Sequence, residues 1–258
     1  MSLAYTHAFV RRFPQTYPTL YFARGRGISL DLCAAQHDAY AAALRHAGLN
    51  VVALEADEST PDCVFIEDTA VLWGKHALST RPRPPRTAEA AAVAAHLRAT
   101  HDVTEIPDGA FLEGGDVFST ERATFVGLSS RTNQAGVDAL RRFMAQFGRE
   151  TIAAPIEKAF HLKSAVTYLG DDTIAIAPFL VDAAPFARFE QIEIDADEHH
   201  GANAIRARDT LIVSENYPKA RRKLETWAGR RGLDVIAVQN GEFEKGDGAI
   251  TCLSLLWG

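Results

Sequence analysis

What most constrains this chain is a unit that recurs along it: a β-hairpin, usually followed by a helix, and then one further strand. Successive copies start roughly 40–50 residues apart, a spacing at which repeats stack into arrays or close into rings. The first whole copy pairs "CVFIEDTAVLW" (63–73) with "HALST" (76–80) across Gly74-Lys75, then runs through the Ala-rich helix "AEAAAVAAHLRAT" (88–100) to the strand "HDVTEIP" (101–107). The second pairs "GDVFST" (115–120) with "ATFVGLS" (123–129), puts Val137, Leu140, Met144 and Phe147 on one helical stripe between Asn133 and Gly148, and extends through "TIAAPI" (151–156). Asn133 fits the N-cap of that helix and Gly148 its C-terminal stop. The third pairs "SAVTYL" (164–169) with "TIAIAP" (173–178) across Gly170-Asp171-Asp172, has a short helix near 182–189, and continues as "QIEID" (191–195). The fourth pairs "ANAIRAR" (202–208) with "TLIVSE" (210–215), starts a helix at Pro218 that buries Leu224 and Trp227, and passes Gly232 into "DVIAVQ" (234–239).

The leftover ends supply a fifth copy. "ITCLSLL" (250–256) pairs with "AYTHAFVRR" (4–12), followed by the helix "AAQHDAYAAALRHAG" (34–48) and the strand "LNVVALEA" (49–56). A fifth copy assembled from both ends closes the ring and removes the free sheet edges that an open array would leave for aggregation. The expectation is therefore one α/β domain over residues 1–258, a five-bladed propeller of ββαβ modules, in preference to two stacked half-domains.

Composition narrows the partners. With 47% hydrophobic residues the chain can fill a core, and its formal charge of −6 disfavours nucleic acid, whose binders need clustered positive potential. A cationic small molecule suits that balance better. No apolar run approaches the ~20 residues that span a bilayer, and the N-terminus lacks the apolar stretch of a secretory signal, so we expect a cytoplasmic protein with no membrane role. Three scattered cysteines, Cys33, Cys63 and Cys252, give neither a disulfide framework nor a Cys-x-x-Cys zinc site, and are expected as free thiols.

In a ring of this kind, the loops that enter each hairpin lie near the central axis at one end. Here they bring Asp62, Glu67, Asp68, Glu113, His161, Asp247 and Cys252 towards one polar cavity. Taken singly these residues say little. An isolated cysteine among apolar residues reads as a small buried hydrophobe, an isolated histidine as a hydrogen-bonded structural one, and the glycines of "EGGD" as a tight turn. Together they say more, because a thiol of ordinary pKa ~8.5 needs a neighbouring base or cation to react near neutrality, and an imidazole is oriented by a carboxylate. Cys252, His161 and Glu113 fit those three roles. The acids of "FIED" interrupt an otherwise apolar strand, where unpaired carboxylates are costly.

At these residues the chain resembles a family. "FIEDTAV", "LEGGDV", "SSRTNQAG", "FHLKSAVTYL" and "KGDGAITCLSL" are similar, in order and spacing, to the dimethylarginine dimethylaminohydrolases of the guanidino-group-modifying (pentein) superfamily. The resemblance implies a five-bladed propeller and hydrolysis of Nω-methylated arginine to citrulline and a methylamine, with no required metal or organic cofactor. It implies Cys252 as nucleophile, His161 as general acid and base, and Glu113 as the carboxylate partner of that histidine. Glu67, Asp68 and Asp62 resemble the family's substrate-holding carboxylates, Asp247 a further acid beside the nucleophile, and Leu20 a position on a loop covering the substrate. Arg86 and Arg131 resemble the two arginines that grip the amino-acid carboxylate. The segment "RPRPPR" is one residue shorter than the family pattern, which keeps Arg83 and Arg81 as alternatives to Arg86. A homodimer is compatible with this reading.

Two rivals remain. One is a related enzyme on the same scaffold: arginine deiminase, agmatine deiminase, an amidinotransferase, or a hydrolase of another substituted arginine. The other is a catalytically silent propeller used for binding, which has no need of Cys252, His161 and Glu113 together. Glu198-His199-His200 is not taken as a metal cluster, because it reads as an exposed loop and adjacent histidines on a strand would face opposite ways. The basic helix "ARRKLETWAGRR" is read as an outer blade helix with a solvated face.

Overall fold

A computed structural model describes residues 5–258 of the chain. The N-terminal segment forms β1 (His7–Arg11), α1 (Leu30–His46) and β2 (Asn50–Leu54). Then follow β3 (Ala70–Trp73), β4 (His76–Ser79), α2 (Glu89–Leu97) and β5 (Asp102–Glu105), and next β6 (Val117–Ser119), β7 (Ala123–Leu128), α3 (Gln134–Ala145) and β8 (Glu150–Pro155). After β9 (Val166–Gly170), β10 (Thr173–Ile176) and β11 (Glu190–Glu193) come β12 (Ala204–Ala207), β13 (Thr210–Ser214), α4 (Pro218–Gly229) and β14 (Asp234–Val238). A single-turn α5 (Gly241–Glu244) leads to β15 (Ser254–Trp257).

Every sheet has three strands and one plan, an antiparallel hairpin whose second strand pairs in parallel with a third. The sheet that contains both ends of the chain runs β15-β1-β2, with Phe9 opposite Leu255 and Val52. The split fifth unit is thus present, although the expected start of its strand at Ala4 lies outside the described residues. The first strands of neighbouring sheets face one another around the axis, β15 against β3, β6 against β9 and β9 against β12. They surround a cavity of about 160 Å³.

Local chemistry explains most boundaries. Asn133 caps α3 by accepting the N–H of Gly136 at 2.9 Å, and Val137, Leu140 and Met144 on its inner stripe are fully buried. Helix α1 starts four residues before the expected "AAQHDAYAAALRHAG", because Ser29 accepts the N–H of Leu32 and becomes its cap. In the third unit the expected helix near 182–189 shrinks to a 3-10 turn, Ala184–Phe186.

One difference matters for function. The runs "CVFIEDTAVLW" and "ITCLSLL" are not strands throughout. Each opens with a 3-10 turn, Ile66–Thr69 and Thr251–Leu253, before β3 and β15 begin. An extended strand would direct alternate polar side chains into hydrocarbon, whereas a turn at the strand entrance gathers them at the axis.

Candidate active site

Four such turns, Ile66–Thr69, Gly114–Asp116, Leu162–Ser164 and Thr251–Leu253, precede β3, β6, β9 and β15 and pack on one another near the axis. The glycines of "EGGD" serve this convergence rather than a left-handed turn, since neither has a positive φ. A Cβ on Gly114 would sit 1.9 Å from the carbonyl oxygen of Glu67, and one on Gly115 would sit 2.5 Å from Nδ1 of His161. Only hydrogen fits at either place.

His161 and Glu113 meet inside this cluster, Nε2 to Oε2 at 2.7 Å, with the carboxylate side chain fully shielded from solvent. Both Glu113 oxygens have further donors. Arg131 contributes Nε to Oε2 (2.9 Å) and Nη2 to Oε1 (2.5 Å), while the backbone N–H of Arg83 reaches Oε1 at 3.0 Å. Burial alone would raise the Glu113 carboxyl, but the bond and charge of His161 and the Arg131 fork outweigh it and hold it down at about 2. Burial likewise opposes the imidazolium, yet the charge of Asp68, the Glu113 bond and the charge of Asp116 lift His161 to about 9. The imidazole is therefore protonated at neutral pH, which suits it to donate a proton first.

Asp68 lies 3.8 Å from Nε2 of His161 and accepts the N–H of Gly115 at 2.9 Å through the same oxygen. Its other oxygen takes Nη1 of Arg86 at 2.7 Å. Arg86 is itself buried and spends Nε on Glu89 and Nη2 on Glu89 and the carbonyl of Phe65, so of its five N–H donors one on Nη1 is left for a ligand. Asp62 approaches the same guanidinium at 4.0 Å, and burial raises its carboxyl above the usual range. Arg131 keeps more free donors than Arg86, and its guanidinium lies 5.2 Å from the Phe160 ring centroid. Of the two alternatives, Arg81 is tied to the exposed Asp108 at 2.8 Å, while Arg83 stacks over Phe111 with Nε unpartnered.

Among the three free cysteines, Cys33 and Cys63 are buried and Cys252 is half-buried. Burial and the charges of Glu67 and Asp68 push the Cys252 thiol well above its ordinary pKa, so the resting sulfur is neutral. Glu67 is buried next to it and raised by that burial, although Lys163 at 2.5 Å and the hydroxyl of Thr251 at 3.0 Å both donate to it. Leu20 is buried in the apolar cluster against which Cys252 packs, with its carbonyl taken by the N–H groups of Ala23 and Arg24. The loop beyond it exposes Tyr21 and Phe22, and Phe22 meets Phe160 edge-on. Asp247 is exposed ahead of the turn that carries Cys252 and has a left-handed φ of 66°.

Asp68, Glu113 and His161 offer ligand atoms within 4.8 Å of one another, the one such group of metal-binding type among the described residues. Two guanidinium groups already neutralise its carboxylates. His199 and His200 lie in the 3-10 segment Ala196–Ala202, not on a strand, with ring centroids 4.0 Å apart. Sequence reasoning passed over Asp116, Lys163, Asn203 and Thr251. Asp116 takes Ser129, Thr132 and the N–H of Leu162, and so anchors the residue after His161. Register offered a signal: Glu67, Gly114, Lys163 and Thr251 each stand three residues before the first strand of a sheet.

The chain is similar to known proteins over most of its length. The family described as N,N dimethylarginine dimethylhydrolase, eukaryotic, matches residues 22–184. An N(G),N(G)-dimethylarginine dimethylaminohydrolase of Streptomyces coelicolor is 36% identical over 233 residues, covering 89% of this chain and 86% of its own. That of Pseudomonas aeruginosa is 30% identical over 223 residues, covering 85% and 86%. A solved cysteine-to-serine mutant of the Pseudomonas aeruginosa enzyme, complexed with citrulline, superposes with a TM-score of 0.92 at 27% identity, over 98% of this chain and 99% of that one. The N-terminal domain of a cyanobacterial arginine dihydrolase shares the fold, with a TM-score of 0.84 at 18% identity over 97% and 96%.

Proposed function

The chain belongs to the dimethylarginine dimethylaminohydrolase family, and from that premise we propose that it hydrolyses Nω-methylated arginine to citrulline and a methylamine through Cys252. The observation that carries the assignment of roles is the His161–Glu113 pair at 2.7 Å, braced by Arg131 and set among the same turns as the one partly exposed cysteine. We take residues 1–258 as a single propeller domain of a cytoplasmic enzyme with a cationic amino-acid substrate.

Glu67 and Asp68 hold and orient the guanidinium, and Asp62 adds negative charge beside them. Arg131 takes the α-carboxylate, helped by the remaining Nη1 hydrogen of Arg86, whose main work is to brace Asp68. Leu20 and Asp247 border the substrate from the loop above and from the turn ahead of the nucleophile. The incoming cation also favours loss of the thiol proton to solvent. Opposite charges ~4 Å apart gain about 4 kcal/mol at an effective dielectric of 20, enough to lower a thiol pKa by more than ~2.

The thiolate then adds to Cζ. Collapse breaks the C–N bond to the methylated nitrogen, which leaves with the proton of His161 and gives an S-alkylthiouronium on Cys252. The now neutral imidazole, held by Glu113, takes a proton from water. The hydroxide adds to the same carbon, the C–S bond breaks, the new hydroxyl loses its proton to solvent, and citrulline departs with the thiolate restored. Asp68 and Glu113 supply the field that keeps the imidazolium stable until the leaving group needs its proton.

A citrulline assay on asymmetric dimethylarginine, monomethylarginine and unmodified arginine tests the substrate. Preference for the methylated forms is expected. Faster turnover of arginine would instead make the chain a deiminase.

A further inference from the structure

The turn beneath the nucleophile is closed by a ring of side-chain bonds. Lys163 donates from Nζ to Oε1 of Glu67 at 2.5 Å, and Thr251 donates from Oγ1 to Oε2 of the same carboxylate at 3.0 Å. Asn203 completes the circuit: its Nδ2 donates to Thr251 Oγ1 and to the carbonyl of Lys163, each at 3.0 Å. Its Oδ1 accepts the backbone N–H of Thr251 at 3.0 Å. Glu67, Lys163, Asn203 and Thr251 stand at the entrances to four different sheets, and Asn203, Thr251 and Glu67 are all buried.

The directions of these bonds are fixed. A carbonyl and a backbone N–H, neither of which can swap roles, determine which end of the Asn203 amide points where. Because Nδ2 then donates to Oγ1, the single hydroxyl proton of Thr251 is left to point at Glu67. An ammonium such as Lys163 is a point charge with rotatable donors and holds a carboxylate without setting its plane. The hydroxyl gives the second, directional bond that does. Asn203 also satisfies the N–H of the first residue in the 3-10 turn whose next residue is Cys252, a donor that such a turn leaves unpaired.

We propose that Asn203 and Thr251 are positioning residues for the reaction: together they seat the Cys252 turn and fix the plane of the Glu67 carboxylate, so that the substrate's guanidinium carbon faces the sulfur. This rests on the reading of Cys252 as nucleophile and Glu67 as a guanidinium holder. Neither residue touches the reacting atoms. Loss of their bonds leaves Glu67 charged on Lys163 and able to attract the cation, but free to turn. Misplacement of a reactant by about 1 Å costs on the order of 10²-fold in rate, so the effect falls on kcat more than on KM.

The test compares Thr251→Val, which keeps the shape and removes the hydroxyl, with Thr251→Ser, which keeps the hydroxyl. Asn203→Ala and Cys252→Ser are measured alongside, by citrulline release from monomethylarginine. Thr251→Val is expected to lose about 30-fold in kcat with KM changed less than about threefold, and Thr251→Ser to recover to within about threefold of wild type. Asn203→Ala should show the same split, and the Thr251 pair decides the matter whether or not that variant folds. Equal kcat in Thr251→Val and wild type, with Cys252→Ser inactive, would overturn the inference and leave the nucleophile in place. A serine variant as slow as the valine one would overturn it too, since packing of the methyl group would then be the cause. Full activity in Cys252→Ser would remove the underlying reading and the inference with it.

Discussion

Nε2 of His161 and Oε2 of Glu113 lie 2.7 Å apart, on turns that belong to different sheets and are 48 residues apart in sequence. In the proposed mechanism the bond joins a base that must release and recover a proton to an acid whose charge is held by Arg131. Glu113→Gln keeps the shape and removes the charge. It should lower kcat by about 10²-fold, the lower end of the range for a disabled acid–base group. Initial rates of citrulline formation at pH 7.5 check this.

The same pair gives stability a pH dependence. His161 is raised from 6.5 to about 9 in the folded state, so its contribution is complete below pH 6.5 and is lost as pH rises through about 9. Glu113 is depressed to about 2, so its contribution is present above its unfolded value of 4.5 and is lost as pH falls through about 2. Urea unfolding at pH 6.5 and pH 9.5 should show the wild type weakened at the higher pH. In Glu113→Gln that difference should shrink, because one of the groups that raises His161 is gone.

Gly115→Ala places a methyl group 2.5 Å from Nδ1 of His161, against a ring held by Glu113 on its other side. Crowding a well-packed site costs typically about 1–3 kcal/mol. We expect a folded protein with a modestly lower melting temperature and turnover reduced at least 10-fold, read by thermal melts and by the citrulline assay together.

Arg131→Met removes both the proposed carboxylate anchor and a donor pair on Glu113. KM for monomethylarginine should rise at least 10-fold and kcat should fall as well. Wild-type enzyme should prefer monomethylarginine to its decarboxylated analogue, and the variant should lose most of that preference. Steady-state kinetics on the two substrates measures the ratio.

Much of this molecule could be read before its structure was known, because turns and hydrophobic periods repeat five times. Gly74 turns the first hairpin and Gly148 and Gly232 follow three residues after the ends of α3 and α4, all with positive φ, and Asn133 caps α3. The split sheet followed from counting the leftover strands. What escaped was local geometry set by tertiary contact. The entries to β3 and β15 look apolar and extended in sequence, but they fold as 3-10 turns in which Glu67 and Thr251 bond each other across the axis and Asp68 takes Arg86 and the N–H of Gly115. Lys163 offered only its register and Asn203 gave no sign of its importance, since an ordinary lysine and asparagine acquire it only when four units bring them together. Arg86 shows the converse: its presence was legible, but its commitment to Glu89 and Asp68 depends on how α2 packs.

The most direct test is to mix enzyme with asymmetric dimethylarginine, quench with acid during turnover, and map the peptides by mass spectrometry. The account predicts a thiouronium adduct on the peptide that contains Cys252 and none on those of Cys33 or Cys63. An adduct on either of those buried thiols, with the Cys252 peptide unmodified, would contradict it.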